Sequence, residues 1–129
     1  MMEITLGMTG RYDVVVSPQH LGPANGLEDL PTLCNPWFTL FCEMAGDAAI
    51  RPSYGSGQSS VGVHGDLEHL AAVGPGSTLQ IEATVKEVSG RRVHMEIRGR
   101  DAGHPFVRGT HDRVIIDVER FLARFAAAR

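Results

Sequence analysis

Three polar side chains stand four residues apart in an otherwise apolar segment that covers residues 35–50. They are Thr39, Glu43 and Asp47, and at the pitch of an α-helix this spacing puts them on one narrow stripe. A helix with so few polar residues is normally wrapped by other structure. The middle carboxylate, Glu43, therefore lies either on the solvated side of a half-buried helix or in a working site, and the pattern alone leaves both readings open.

The chemistry that Glu43 would supply is that of a base or a nucleophile. A carboxylate in a mostly apolar cleft is poorly solvated, which makes it a better acceptor for a proton from water. Asn35 stands at the start of the segment and is followed by Pro36, a pattern that predicts a helix N-cap and a first helical residue.

The histidines and cysteines form no metal or nucleophile pattern. His64 and His69 are five residues apart, so on a regular strand they point to opposite faces, which argues against a joint metal site. His69 taken alone is typical of a turn, and His111 is typical of a residue that packs or hydrogen-bonds near a sheet. Cys34 and Cys42 are predicted to be small, reduced core residues. We therefore expect neither a metal nor a redox cofactor.

Composition places the chain among ordinary globular proteins. Its 129 residues are enough for one hydrophobic core, so a single domain over residues 1–129 is expected. The 12 basic and 15 acidic residues give a net charge of −3, which argues against a nucleic-acid surface. No apolar run approaches the length that crosses a bilayer, and the N-terminus lacks the pattern of a signal peptide. These features predict a cytoplasmic protein with no membrane or nucleic-acid partner.

The elements that must position the site are predicted from periodicity and turn residues. Alternating apolar residues predict strands near residues 11–17, 61–68, 79–86, 92–98 and 106–118, and a short amphipathic helix is predicted over 119–129. Residues 18–32 carry three prolines and no clear period, which indicates a long loop of the kind that often covers a site. Residues 54–60, rich in glycine and serine, indicate a flexible connector.

This order of elements predicts an α+β architecture. Clean alternation on the strands indicates that one face of an antiparallel sheet is buried and the other is not. The long apolar helix is the element that would pack on the buried face, and a curved antiparallel sheet wrapped around a central helix is the hotdog fold. Such a sheet leaves an edge strand, which is commonly managed by pairing with a second copy. We therefore expect a homodimer.

Three segments of the second half carry a family resemblance. They are Val-Gly-Val-His-Gly-Asp-Leu-Glu-His-Leu-Ala-Ala-Val-Gly-Pro-Gly at 61–76, Glu-Val-Ser-Gly-Arg-Arg at 87–92 and Gly-Thr-His-Asp-Arg-Val-Ile-Ile-Asp-Val-Glu-Arg-Phe at 109–121. In this order and spacing they resemble the fluoroacetyl-CoA-type thioesterases, a branch of the hotdog enzymes. With the helix included, the resemblance covers roughly residues 30–122.

The resemblance implies a site on the central helix and the strand that follows it. Family members use a glutamate on the helix, a threonine about two turns before it and a histidine at the end of the next strand. These positions fall on Glu43, Asn35 and His69. Glu43 would act as general base on water or as direct nucleophile, and His69 would orient water or protonate the departing thiolate. Asn35 departs from the threonine, because an amide cannot be the nucleophile, although it can polarise the thioester carbonyl.

The expected activity is hydrolysis of an acyl thioester, with no cofactor beyond the coenzyme A or phosphopantetheine that is part of the substrate. The stretch 25–31 matches the lid that bears phenylalanine in the fluoroacetyl-specific enzyme, yet it contains no aromatic residue. The resemblance therefore implies a different small or medium acyl group. Coenzyme A and a carrier protein both stay open as the acyl carrier.

Two other functions fit the same fold. A hotdog hydratase or dehydratase would also use a histidine with a carboxylate, although the histidine–aspartate arrangement typical of hydratases is not found in the sequence. A non-catalytic module would hold an acyl thioester or small acid in the same cleft, with Asn35 as the mark of lost chemistry.

Overall fold

The computed structural model describes residues 3–128. Its regular elements are β1 (Thr9–Val15), α1 (Asn35–Ile50), β2 (Gln58–His69), β3 (Thr78–Ser89), β4 (Arg92–Asp101), β5 (His104–Asp117) and α2 (Val118–Ala127). Short 3₁₀ turns occupy Pro18–His20, Gly22–Asn25 and Arg51–Ser53. The predicted order of strand, long loop, helix and four strands is confirmed, and each predicted strand is found with its ends shifted by a few residues.

All five strands form one antiparallel sheet in the order β1-β3-β4-β5-β2. The period-two pattern of β3 and β4 turns one side of each strand towards α1, and those apolar side chains are fully buried. They are Leu79, Ile81, Ala83, Val85, Val93, Met95 and Ile97. The helix contributes the facing layer of the core with Phe38, Phe41, Cys42, Ala45, Ala49 and Ile50. This sheet curled around a central helix confirms the hotdog prediction.

The start of α1 differs from the prediction by one residue. Asn35 is the first residue of the helix, and Cys34 takes the N-cap position without a side-chain hydrogen bond to the first turn. The backbone carbonyl of Cys34 accepts from the N–H of Phe38 at 3.0 Å. The predicted capping role of Asn35 is therefore wrong, because the buried Cys34 ends the loop one residue earlier.

The two segments on either side of α1 are more ordered than predicted. Within the long loop, Leu21 pairs with Leu33, and the Asn25 amide donates to the carbonyl of Leu21 at 2.7 Å. The indole N–H of Trp37 donates in turn to the Asn25 side-chain oxygen at 3.3 Å, which ties the loop to the helix. The predicted flexible connector over 54–60 is wrong for its last three residues, because β2 already begins at Gln58, while 54–57 do form a loop.

β2 lies at the edge of the sheet. One side of the strand pairs with β5, and no strand within residues 3–128 pairs with its other side. A β-bulge between Gly62 and His64 leaves Val63 without a partner residue, and Val63 is 47% exposed. The helices of this part of the chain include none that is long and apolar enough to cross a membrane.

β1 packs directly on the backbone of α1, and Gly10 makes this possible. A Cβ atom at Gly10 would lie 2.0 Å from the backbone nitrogen of Ala49 and 2.5 Å from the carbonyl carbon of Ala48. Backbone atoms cannot move aside as a flexible side chain can. The glycine therefore sets the distance between the first strand and the helix.

We expect Gly10→Ala to lower the free energy of unfolding by roughly 1–3 kcal/mol or more, as overpacking of a core does. Urea denaturation followed by circular dichroism measures the change. Gly74→Ala is the matched control, because nothing lies within 4 Å of a Cβ built at Gly74. Equal stability of the two variants would contradict the close contact between β1 and α1.

Candidate active site

Glu43 projects from the middle of α1 towards the edge strand β2. Its Oε1 atom would lie 2.3 Å from a Cβ at Gly62, so only glycine leaves room for the carboxylate at this point of the strand. The Cε1 atom of His111 would lie 2.9 Å from the same Cβ. Glu43, Gly62 and His111 are thus brought together by α1, β2 and β5.

The surroundings of Glu43 differ from the predicted apolar cleft. Its side chain is 37% exposed in the single chain, and the charged group nearest to it is the guanidinium of Arg113, with Nη1 3.8 Å from Oε1. Arg113 is only 7% exposed although it carries a full charge. The prediction failed because β5 turns polar as well as apolar side chains towards the helix.

Arg113 is held by neighbours on three elements. Its Nε donates to the Ser60 hydroxyl at 2.7 Å, and its Nη2 donates to the Ser60 carbonyl at 3.1 Å. Its Nη1 donates to the Glu43 backbone carbonyl at 3.4 Å and to Nε2 of His111 at 3.1 Å. These bonds satisfy a buried charge that would otherwise be costly.

The contact with Arg113 fixes the tautomer of His111. A guanidinium can only donate, so Nε2 of His111 must accept, and the proton of the neutral ring must be on Nδ1. Nδ1 lies 3.1 Å from the backbone carbonyl of His64, which accepts that proton. Burial lowers the pKa of His111, and the positive charge of Arg113 lowers it further. The ring is therefore neutral at neutral pH.

A series of hydrogen bonds leads from Ser60 through Tyr54 and Asp47 to the solvent-exposed Arg51. The Tyr54 hydroxyl lies 2.5 Å from the Ser60 hydroxyl and 2.7 Å from the Asp47 carboxylate. Nε of Arg51 donates to the other oxygen of Asp47 at 2.6 Å. Burial raises the pKa of Asp47, but the hydrogen bonds from Arg51 and Tyr54 outweigh it and the net pKa is lowered. Asp47 is thus an ionised acceptor.

Several of these residues line a cleft of about 460 Å³ on the helix side of β2. Glu43, Asp47, Ser60 and Arg113 form its polar wall, and Leu40, Met44, Arg51 and Ser59 complete it. A larger cavity of about 620 Å³ lies on the outer face of the sheet, where three arginines are balanced by three carboxylates: Arg98, Arg100, Arg108, Asp66, Glu68 and Glu96. The cleft on the helix side is the one that contains Glu43, beside the buried Arg113, and it is therefore the candidate site.

His69 faces the helix as predicted but does not meet Glu43. Its ring stacks on Phe38, with centroids 4.3 Å apart and an angle of 14° between the planes. Burial lowers the pKa of His69, opposed by a hydrogen bond with the backbone of Ala71. Along β2, His69 lies seven residues beyond Gly62, which is roughly 20 Å at the rise of a strand. One chain therefore does not join the predicted histidine to the predicted base.

Asn35 is exposed on the first turn of α1. It precedes Glu43 by eight residues, which is about 12 Å along a helix. Within residues 3–128 its amide makes no hydrogen bond to Glu43 or His69, so its catalytic role stays a prediction.

Sequence reasoning missed three members of this cluster: Gly62, His111 and Arg113. His111 and Arg113 are two residues apart on one strand, and that spacing places them on the same face. This spacing can be read from the sequence, but it does not show that the shared face of the strand lies against Glu43. Within residues 3–128, no group of three histidine, cysteine or acidic side chains is arranged to hold a metal.

Comparison with known proteins gives a consistent result. The family model described as fluoroacetyl-CoA-specific thioesterase matches residues 16–119. A fluoroacetyl-CoA thioesterase of Streptantibioticus cattleyicolor is 30% identical over 119 residues, which cover 88% of this chain and 86% of that one. These matches confirm the resemblance and extend it into the loop before α1.

Solved structures agree on the fold. A structure of the fluoroacetyl-CoA thioesterase FlK superimposes with a TM-score of 0.92 at 25% identity, covering 99% of both chains. A Thermus thermophilus protein described as a thioesterase superfamily member superimposes with a TM-score of 0.87 at 23% identity, covering 99% of this chain and 95% of that one.

The lowered pKa of His111 predicts how stability depends on pH. An unfolded histidine titrates near 6.5, so below that pH the unfolded chain binds a proton that the folded His111 does not. The free energy of unfolding should therefore fall between pH 7 and pH 5, and His111→Gln should reduce that fall. Part of the fall should remain, because burial also lowers the pKa of His20 and His69.

Urea denaturation at the two pH values measures this dependence. The control is His104→Gln, which changes an exposed histidine at the start of β5. If His111→Gln and wild type lose the same stability on acidification, His111 does not titrate as its surroundings indicate.

Proposed function

The chain belongs to the fluoroacetyl-CoA-specific thioesterase family, and on that premise we propose that Glu43 is the base or nucleophile of its thioester hydrolysis. Membership of this family identifies the protein as a thioester hydrolase with the hotdog fold. The observation that carries the proposal for Glu43 is its placement. The carboxylate lies against Gly62 in an open cleft, 3.8 Å from a buried arginine that does not hydrogen-bond to it.

Glu43 can take part in thioester hydrolysis in two ways, and both require an accessible carboxylate at this position. As general base it accepts a proton from water while the water oxygen bonds to the thioester carbonyl carbon. The resulting oxyanion collapses, the carbon–sulfur bond breaks and the thiolate takes up a proton. As nucleophile the carboxylate would itself attack the carbon, release the thiol and form an anhydride that water then opens.

Arg113 supports either route. Its guanidinium lies 3.8 Å from the half-buried Glu43 carboxylate, and its hydrogen bonds are directed elsewhere, so the lone pairs of Oε1 stay available to the substrate or water. The neutral His111 beside it adds no competing charge.

The separation of His69 from Glu43 supports a homodimer that pairs β2 with β2. Antiparallel pairing reverses the second strand, so the half that carries His69 in one subunit runs beside the half that carries Ser60 and Gly62 in the other. For a pair centred on His64, in the middle of the exposed stretch, His69 of the partner subunit would lie opposite Ser59. Ser59 lines the cleft that contains Glu43.

This pairing also uses the exposed edge of the sheet. Unpaired backbone groups and an exposed Val63 on an edge strand favour association with another strand. We propose that two copies form one continuous sheet and that each active site takes Glu43 from one subunit and His69 from the other. Asn35 lies at the same end of α1 as Phe38, on which His69 stacks, so the proposal keeps Asn35 as a donor to the thioester carbonyl from the subunit that supplies His69.

The acyl group is proposed to be small or medium and different from fluoroacetyl. The loop ahead of α1 has no aromatic residue over 25–31, and Asn25 in that stretch is fixed by hydrogen bonds to Leu21 and Trp37. Coenzyme A is the carrier that the family favours. A carrier-protein substrate presents the same thiol arm and is separated from it by assaying both forms of one acyl group.

We expect Glu43→Gln to lower acyl-CoA hydrolysis by about 10²–10⁴-fold, because an amide cannot accept the proton. Release of free thiol from a panel of acyl-CoAs, followed with a chromogenic disulfide, measures the rate. Glu119→Gln, an exposed change on α2, is the control. Near-wild-type turnover by Glu43→Gln would contradict the assignment of Glu43 as base or nucleophile. Binding without thiol release by wild type would indicate a non-catalytic module, and loss of enoyl absorbance would indicate a hydratase.

A mixing experiment tests the shared site. Glu43→Gln and His69→Ala are each expected to be nearly inactive, but a mixed dimer of the two contains one intact site. Random exchange of equal amounts should therefore restore about a quarter of wild-type activity. If the mixture stays as inactive as its components while native mass spectrometry shows that mixed dimers form, Glu43 and His69 do not act across subunits.

A further inference from the structure

A chain of hydrogen bonds connects the surface of the protein to Arg113 and ends beside Glu43. The residues of this chain, in order, are Asp47, Tyr54, Ser60 and Arg113. Hydrolysis as proposed above uses none of the first three directly. The chemistry of each group nevertheless determines which partner donates and which accepts in every hydrogen bond of this chain.

The direction of the chain is fixed at both ends. Asp47 is ionised and can only accept, so the Tyr54 hydroxyl donates to it. The Ser60 hydroxyl must then donate to the Tyr54 oxygen, since the single Tyr54 proton is already used. That orientation turns a lone pair of Ser60 towards Nε of Arg113, which donates to it at 2.7 Å.

The donors of Arg113 are almost all committed as a result. Nε and Nη2 bond to Ser60, and the two hydrogens of Nη1 are directed to His111 and to the Glu43 backbone carbonyl. The Glu43 carboxylate is 3.8 Å from Nη1, beyond hydrogen-bonding distance. Arg113 is thus close to the carboxylate but does not hydrogen-bond to it.

We propose that Tyr54 is a positioning residue for the reaction: through Ser60 it holds Arg113 away from the Glu43 carboxylate and so preserves the reactivity of that carboxylate. This inference rests on the proposed role of Glu43. Without the Tyr54 hydroxyl, the Ser60 hydroxyl loses the acceptor that orients it, and Nε of Arg113 loses its aligned partner. The guanidinium is then free to close the gap and form a direct ion pair with Glu43.

A direct ion pair would have two measurable consequences. The carboxylate would stay ionised to lower pH, so the acidic limb of the rate–pH profile would move down. The paired carboxylate would also be a weaker base, so kcat would fall even where it is fully ionised. Binding of the acyl group does not involve Tyr54, so KM should change little.

Other charged groups that face Glu43 are few in the described residues. Arg113 and the neutral His111 approach it from β5, and Gly62 and Ser60 of β2 bring no charge. On its own helix, Asp47 lies one turn further on and is held by Arg51 and Tyr54. In the proposed dimer the partner subunit's His69 would also reach this cleft, but Tyr54→Phe leaves that histidine unchanged, so a difference from wild type in the acidic limb is traced to Arg113.

The test is the rate–pH profile of Tyr54→Phe, measured as loss of thioester absorbance with the best acyl-CoA from the panel. We expect kcat to fall about tenfold and the acidic limb to move down by about half a pH unit or more, with KM within about twofold of wild type. Tyr12→Phe is the matched control. Tyr12 is half-buried against Phe41, on the other side of the helix from the cleft.

Ser60→Ala breaks the same chain one step nearer to Arg113 and should shift the limb in the same direction. It replaces Tyr54→Phe if that variant does not fold. An unshifted limb in both variants, or a loss of stability alone, would overturn the inference while Glu43→Gln still abolishes turnover. If Glu43→Gln is itself active, the proposed function fails first, so the two failures are distinguishable.

Discussion

The charge of Arg113 is the constraint on which the site depends. A guanidinium that is 7% exposed must have its hydrogen-bond donors satisfied, because an unpaired buried charge is far more costly than an exposed one. Its partners belong to three elements: Ser60 on β2, His111 on β5 and the backbone of α1 at Glu43. Satisfying one side chain therefore fixes the edge strand, its neighbour and the central helix relative to one another. The Glu43 carboxylate is placed by the same set of bonds.

Glycine makes this cluster possible where larger residues would not fit. A Cβ at Gly46 would lie 2.8 Å from the ring of His111, so the helix is narrowest where the imidazole lies against it. Gly62 gives the Glu43 carboxylate its place on β2 in the same way. The helix and the sheet approach most closely where side chains are absent, and the polar groups occupy the space that results. Packing and chemistry are thus set by the same glycines.

The parts of the structure that the sequence predicts are those governed by local periodicity. Alternation on β3 and β4 predicts which side chains are buried, and the apolar run of 35–50 predicts the helix, with an error of one residue at its start. The cluster around Glu43 was not predicted, because Arg113 and Glu43 are 70 residues apart and no local pattern links them. Tyr54 was assigned to a flexible connector for a related reason. Its composition is that of a loop, while its order comes from bonds to Asp47 and Ser60 across a turn.

The edge position of β2 is the basis of the proposal that two subunits share the active site. One chain puts Glu43 against Gly62 near the start of the strand and His69 against Phe38 at its end. An extended strand cannot shorten that separation, since its rise per residue is fixed by the backbone. A two-fold axis across the same strand reverses its direction and so brings each end beside the other. The proposed pairing of the edges would cover unpaired backbone groups and would bring Glu43 and His69 together in a single step, so an active site that needs both residues would also require the dimer.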